Sequence, residues 1–126
     1  MTKEKHSQPF LIKDRVRSFK YAFKGLAVLL KTEHNARIHV VIAILVIIAC
    51  YLLKIEKWEW ISIFLAIGLV FITELLNTAL ENLADVISPG LHEKIGFAKD
   101  LAAGAVLVAA IIALIIGCLV FIPRVI

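Results

Sequence analysis

Cysteine is nearly absent from this chain: Cys50 and Cys118 are its 2 cysteines in 126 residues, both lie inside apolar runs, and no CxxC pair occurs. A disulfide framework and a thiolate metal centre are thereby excluded, and each thiol reads as a small hydrophobe. Charge is scarce as well, with Asp, Glu, Lys and Arg making up 19% of the residues. The opening MTKEKHSQPF is polar and lacks the apolar stretch of a cleaved secretory signal, since the first long apolar run begins only near Ile38. The apolar runs are therefore expected to belong to the mature protein. What is present in abundance is hydrocarbon: 61% of the residues are hydrophobic and the mean hydropathy is +0.93. A soluble domain carries about 45–50% apolar residues, so lipid must solvate much of this single domain.

Three apolar runs stand out, and a bilayer core of about 30 Å takes about 20 helical residues per crossing. The first covers Ile38 to Leu53 and is slightly short, so it recruits a turn from its flanks. The second opens at Trp58 with WEWISIFLAIGLVFI, and the third, Leu101 to Ile122, is the cleanest. These runs predict an all-α membrane protein with three transmembrane helices, placed at 36–54, 58–86 and 93–122 with a loop at 87–92.

A different helix is expected at 10–33, after a flexible tail over 1–9. Ile12, Val16, Phe19, Phe23, Leu26 and Leu30 recur at helical spacing along one stripe, while Lys13, Arg15, Arg17, Lys20, Lys24 and Lys31 occupy other faces. Two placements suit a basic amphipathic helix: flat on the membrane surface, or packed on the spans. Most of the 14 Lys and Arg precede residue 38, whereas the first inter-span loop holds Lys54 and Lys57 offset by Glu56 and Glu59. Basic segments stay on the cytoplasmic side, so the N-terminus and the second loop, with Lys94 and Lys99, are expected there. Trp58 and Trp60 then anchor the second span at the outer interface.

The second span ends in ELLNTALENLAD, residues 74–85. At about 100° per residue, Glu74, Asn77, Thr78, Glu81 and Asp85 share an arc of about 100°, and Leu75, Leu76, Leu80 and Leu83 take the rest. An ionisable group at the centre of a membrane helix costs at least about 2.5–3.5 kcal/mol, so such groups face protein or a wet cavity. Two readings fit the stripe. Carboxylates beside Lys94 and Lys99 suit a Mg²⁺ ion carrying nucleotide phosphates, and polar side chains between helices also serve as interhelical glue.

The stripe, the downstream His92 and the following AKDLAAGAVLV resemble the signature of the prokaryotic integral-membrane diacylglycerol kinase family, which includes undecaprenol kinases. YAFKGL, TEHNARIH, WEWISIFL and the terminal FIP extend the resemblance over nearly the whole chain. It implies an enzyme of the bacterial cytoplasmic membrane, multi-pass with a cytoplasmic N-terminus, that phosphorylates a lipid hydroxyl with Mg-ATP. It also implies a homotrimer with sites shared between subunits and no P-loop. The NTALEN, KDLAAGAVL and FIP forms are more similar to undecaprenol kinases than to enterobacterial diacylglycerol kinases.

By the same resemblance Glu74 is the catalytic base, placed deepest in the stripe where a lipid headgroup reaches it, and Glu33 and Glu81 are ligands of Mg²⁺. Tyr21, Asp85, Gly90, Leu91, His92, Lys99 and Asp100 join Glu33 and Glu81 in holding ATP, with Lys99 as a point charge on phosphate. Asn77, Arg37 and Ala103 shape the lipid side of the site. Asp14 stands where some members carry an arginine, a contact that Arg15 or Arg17 would have to replace. His34 and His39, an i, i+5 pair, do not share a helix face and make a weak zinc site, so they are read as interfacial contacts to headgroups. The competing classes are a small oligomeric membrane transporter or cation-conducting bundle and a non-catalytic membrane scaffold, and no nucleic-acid partner is expected.

Overall fold

The computed structural model describes residues 9–126, so most of the tail expected at 1–9 lies outside the described residues. It is all-helical: α1 (Ile12–Thr32), α2 (His34–Leu52), α3 (Lys57–Ile87) and α4 (Glu93–Val125). The last three are each long and apolar enough to cross a membrane.

Local chemistry sets each boundary. At the end of α1, Lys31 complements the helix dipole, and Glu33 leaves the helical region at φ −105° and ψ 117°. Arg37 spans this break from α2, donating from Nε to the Leu30 carbonyl at 2.8 Å and from Nη2 to the Lys31 carbonyl at 2.5 Å. Those carbonyls have no partner within α1, so the guanidinium caps them and fixes the angle between the two helices. Between α2 and α3 the chain turns through Lys54 in the left-handed region, φ 49°. At the start of α3, Glu59 Oε2 accepts from the Glu56 backbone N–H at 2.8 Å, tying down the first turn. Pro89 ends α3, because the residue before a proline is driven out of the helical region; Ser88 sits at φ −143° and ψ 89°.

α3 packs chiefly against α4, and α2 and α1 pack against α3 to a lesser extent. Cys50, Ile55, Ile63 and Val120 form the buried cluster, enclosed by Val46, Trp60, Ile67, Ile116 and Phe121. Beside it the Arg124 guanidinium grips Glu59 with both Nη atoms; Nη1 donates to Oε1 at 2.6 Å and also to the Val120 carbonyl at 2.9 Å. This fork ties the start of α3 to the end of α4. Along the apolar stretches of the spans large hydrophobic side chains face outward: Ile44, Leu45, Leu65, Leu107 and Leu114 are exposed on the chain surface. Lipid tails are as apolar as leucine, so these faces need no protein cover.

α1 behaves differently. Leu29 is sealed at 2% exposure, but Ile12, Val16, Phe19 and Phe23 are open. The apolar stripe is thus not packed on the spans. Arg15 lies over the Phe10 ring with its Cζ 5.5 Å from the centroid.

Since lipid competes for apolar contacts, Ile63, at 2% exposure, stabilises the bundle by packing more than by transfer from water. Ile63→Ala is expected to destabilise it by the lower end of about 2–5 kcal/mol, read as reduced resistance to denaturation in detergent micelles.

Candidate active site

At about 1.5 Å per residue, the 31 residues of α3 reach about 46 Å, well beyond the hydrocarbon thickness of about 30 Å. The N-terminal part of the helix fills the apolar cluster, and its last turns carry the polar stripe. Within that stripe burial is graded. Glu74 is 3% exposed and Thr78 6%, Asn77 and Glu81 are half-buried, and Asp85 is open. The most costly charge therefore lies deepest.

The hydrogen bonding of the stripe is incomplete. Asn77 Nδ2 donates to Glu81 Oε1 at 3.2 Å, and Asn82 Nδ2 donates to the Thr78 carbonyl at 3.0 Å. Yet Glu74 Oε1, Asn77 Oδ1 and Thr78 Oγ1 are buried without a hydrogen-bond partner. Thr78 is also an exception in its class. Ser18, Thr32, Ser62 and Thr73 all turn their hydroxyls onto a preceding carbonyl of their own helix, whereas that of Thr78 is left free. Buried polar atoms are rarely orphaned, and three within five residues call for a partner from outside this chain, a ligand, water or a neighbouring molecule.

Two cavities flank α3: one stops short of the stripe at Val70 and Phe71, and the other reaches it at Thr78. One, about 490 Å³, runs between α2, α3 and α4 and is lined by apolar residues including Ala66, Val70, Phe71, Ala113 and Leu114, with His39 as its polar end. The other, about 380 Å³, lies between α1 and α3 and is lined by Tyr21, Lys24, Gly25, Leu75, Thr78 and Asn82 among others. Glu74 stands one turn beyond Val70, which lines the first cavity, and one turn before Thr78, which lines the second.

The second loop adds charge. Lys99 Nζ lies 2.7 Å from Asp85 Oδ1, tying the start of α4 to the end of α3. Asp100 is exposed beside it, and Ala103, one turn on from Lys99, is exposed on the same face. Gly90, Leu91 and His92 are exposed in the loop, with His92 the extended residue that precedes α4. Glu33 is half-buried at the junction of α1 and α2, while Arg37 is engaged by the carbonyls of α1. The fold thus draws Tyr21 to the stripe through the polar pocket, and Lys99 through Asp85.

A divalent hard cation of the Mg²⁺ type takes oxygen ligands, commonly about one or two carboxylates with phosphates and water completing the shell. Glu81, with the unpartnered Asn77 Oδ1 and Thr78 Oγ1 on the same helix, offers oxygen donors of that kind, while Glu33 stands apart at the junction of α1 and α2. Among the described residues no group of three or more His, Cys, Asp or Glu forms a self-sufficient metal cage. The donor set suits an ion that arrives with phosphate oxygens.

One contact escaped the sequence reading. His39 Nε2 lies 3.3 Å from Glu74 Oε1, close enough to pair but too far off-line to count as a hydrogen bond, which is why that oxygen remains unpartnered. The signal was available. Measured from the turn at 53–56, His39 and Glu74 lie within about a turn of the same depth on antiparallel helices, so an imidazole at the start of the first span can reach a carboxyl on the second.

The chain is similar to known proteins over most of its length. The pattern of prokaryotic diacylglycerol kinase matches residues 20–121. The undecaprenol kinase of Bacillus subtilis is 44% identical over 108 residues, covering 86% of this chain and 88% of the relative. The diacylglycerol kinase of Synechocystis sp. is 44% identical over 107 residues, 84% of this chain and 61% of that protein. The Escherichia coli diacylglycerol kinase is 36% identical over 100 residues, 79% of this chain and 81% of the relative. With the match spanning nearly all of α1 to α4, the chain belongs to the prokaryotic diacylglycerol kinase family and is a membrane-embedded lipid kinase.

Proposed function

We propose that the protein transfers the γ-phosphate of ATP to the hydroxyl of undecaprenol, in preference to diacylglycerol, at the cytoplasmic face of the bacterial inner membrane. The product is undecaprenyl phosphate. The observation that carries the reading is the setting of Glu74: a carboxyl 3% exposed, with an unpartnered Oε1, between an apolar groove and a polar pocket. The preference for a polyprenol rests on the undecaprenol kinase that matches over 88% of its own length.

In this mechanism the lipid tail lies among hydrocarbon and brings its hydroxyl to Glu74. Glu74 accepts the hydroxyl proton, the freed oxygen bonds to the γ-phosphorus, and the bridging P–O bond to the β-phosphate breaks, releasing ADP. Phosphoryl transfer requires mainly positioning and charge neutralisation, which a helix bundle without a P-loop can provide. Glu81 and Glu33 hold Mg²⁺, with Asn77 orienting Glu81 through its amide. Bound Mg²⁺ supplies neutralisation of the charge on the phosphate oxygens. Lys99 exchanges Asp85 for a phosphate, with Asp100 beside it, and Tyr21, Gly90, Leu91 and His92 contact the nucleotide. Arg37 acts on the site indirectly by fixing the junction that carries Glu33, and Ala103 leaves room beside Lys99.

Assembly and placement are those that the family resemblance and the clustering of basic residues imply. α1 lies on the cytoplasmic membrane surface with its open apolar stripe in the headgroup region and its lysines toward the phosphates. Three copies associate through their exposed faces, so that each stripe is closed by a neighbour.

Three outcomes are expected. Glu74→Gln lowers kcat by about 10²–10⁴, the contribution usual for a general base, while its elution volume in detergent is unchanged; turnover at the wild-type rate would remove Glu74 as the base. Glu81→Ala and Glu33→Ala raise the Mg²⁺ concentration giving half-maximal rate, measured by titration at saturating ATP. In mixed micelles, ATP consumption is greater with undecaprenol than with diacylglycerol, and equal rates would refute the stated preference.

A further inference from the structure

We propose that His39 is the positioning residue for Glu74: its Nε2–H holds one carboxylate oxygen inward, so that the other faces the lipid hydroxyl. The proposal rests on the reading of Glu74 as the base. Three observations lead to it. First, the two side chains come from different helices and meet at 3.3 Å, with side-chain exposures of 24% for His39 and 3% for Glu74. Second, the other polar groups near Glu74 on its own helix are engaged elsewhere or silent: Asn77 gives its amide to Glu81, and the Thr78 hydroxyl is unpartnered. Third, the groove that ends at His39 is otherwise lined by apolar side chains, Gly117 and Cys118, so no second donor competes for the carboxylate from that side.

A glutamate has three rotatable side-chain bonds, and an unanchored carboxylate at the mouth of a groove would sample orientations that point no oxygen at the substrate. A donor fixed to a neighbouring span removes that freedom before the lipid arrives. The present contact is off-line, as catalytic hydrogen bonds often are without substrate, and a lipid hydroxyl engaging the outer oxygen turns the inner one toward Nε2. Because His39 reaches the carboxylate and not the phosphates, its influence is felt in the rate and not in nucleotide affinity.

The test uses the full-length protein in detergent micelles with undecaprenol and Mg-ATP, comparing wild type, His39→Leu and His39→Gln. His39→Leu keeps the apolar packing and removes the donor, and is expected to lower kcat by about 10²-fold, the scale of a misplaced reacting group, with KM for ATP and for lipid unchanged. His39→Gln restores an N–H at similar reach and recovers most of the rate. An unchanged kcat in His39→Leu, an effect confined to KM, or a His39→Gln no better than His39→Leu would each overturn the proposal while leaving the kinase reading standing, since wild type would still turn over. A wild type that transfers no phosphate to lipid would remove both together.

Discussion

The structure depends on one constraint: a carboxylate in a protein whose outer surface is hydrocarbon must be shielded by the protein itself. Glu74 meets that constraint on α3, at 3% exposure, with α2 bringing His39 to one of its oxygens. Desolvating an ion costs several kcal/mol even after relaxation, and a bundle held by helix packing alone has little stability to give away. The site therefore sits near the end of a bundle whose firmest packing lies elsewhere, around Ile63, Cys50 and Val120.

This division of labour along α3 explains its length. The N-terminal part is pinned to α4 by the Glu59–Arg124 fork and the buried cluster beside it. The C-terminal part carries oxygen atoms without partners, which would weaken a purely structural helix. Such atoms are tolerated because packing nearer the N-terminus holds the helix in place regardless. A polar site on a long, well-anchored helix is more accurately positioned than one on a loop, and positioning is most of what phosphoryl transfer asks of a protein.

The two cavities give the site its sidedness. The apolar groove offers no hydrogen bonds along most of its length, so it suits a chain solvated by dispersion, while the pocket under α1 presents Tyr21, Lys24, Thr78 and Asn82. Arg37 matters to this arrangement although it caps carbonyls: by fixing the break at Glu33 it sets where α1 crosses α3. A contact of that kind is invisible in a helical wheel, because its acceptors are backbone atoms of another helix.

The all-helical class, the three apolar spans and the polar stripe on one face of the second were determined by the sequence alone, since hydropathy and a period of 3.6 residues are local properties. WISIFLAIGLVFI must be solvated by lipid or by other apolar side chains, and the angular position of Glu74 relative to Glu81 is a matter of counting. Only the tertiary structure decided that Glu74 meets His39, that Lys99 meets Asp85, that Arg124 meets Glu59, and that a pocket between α1 and α3 opens onto Thr78. Those outcomes depend on how far each helix slides and rotates against the next. In a membrane, apolar faces do not distinguish neighbour from lipid strongly enough to announce the register in composition, so it is settled by the close packing of particular side chains and by the few polar groups that must find one another.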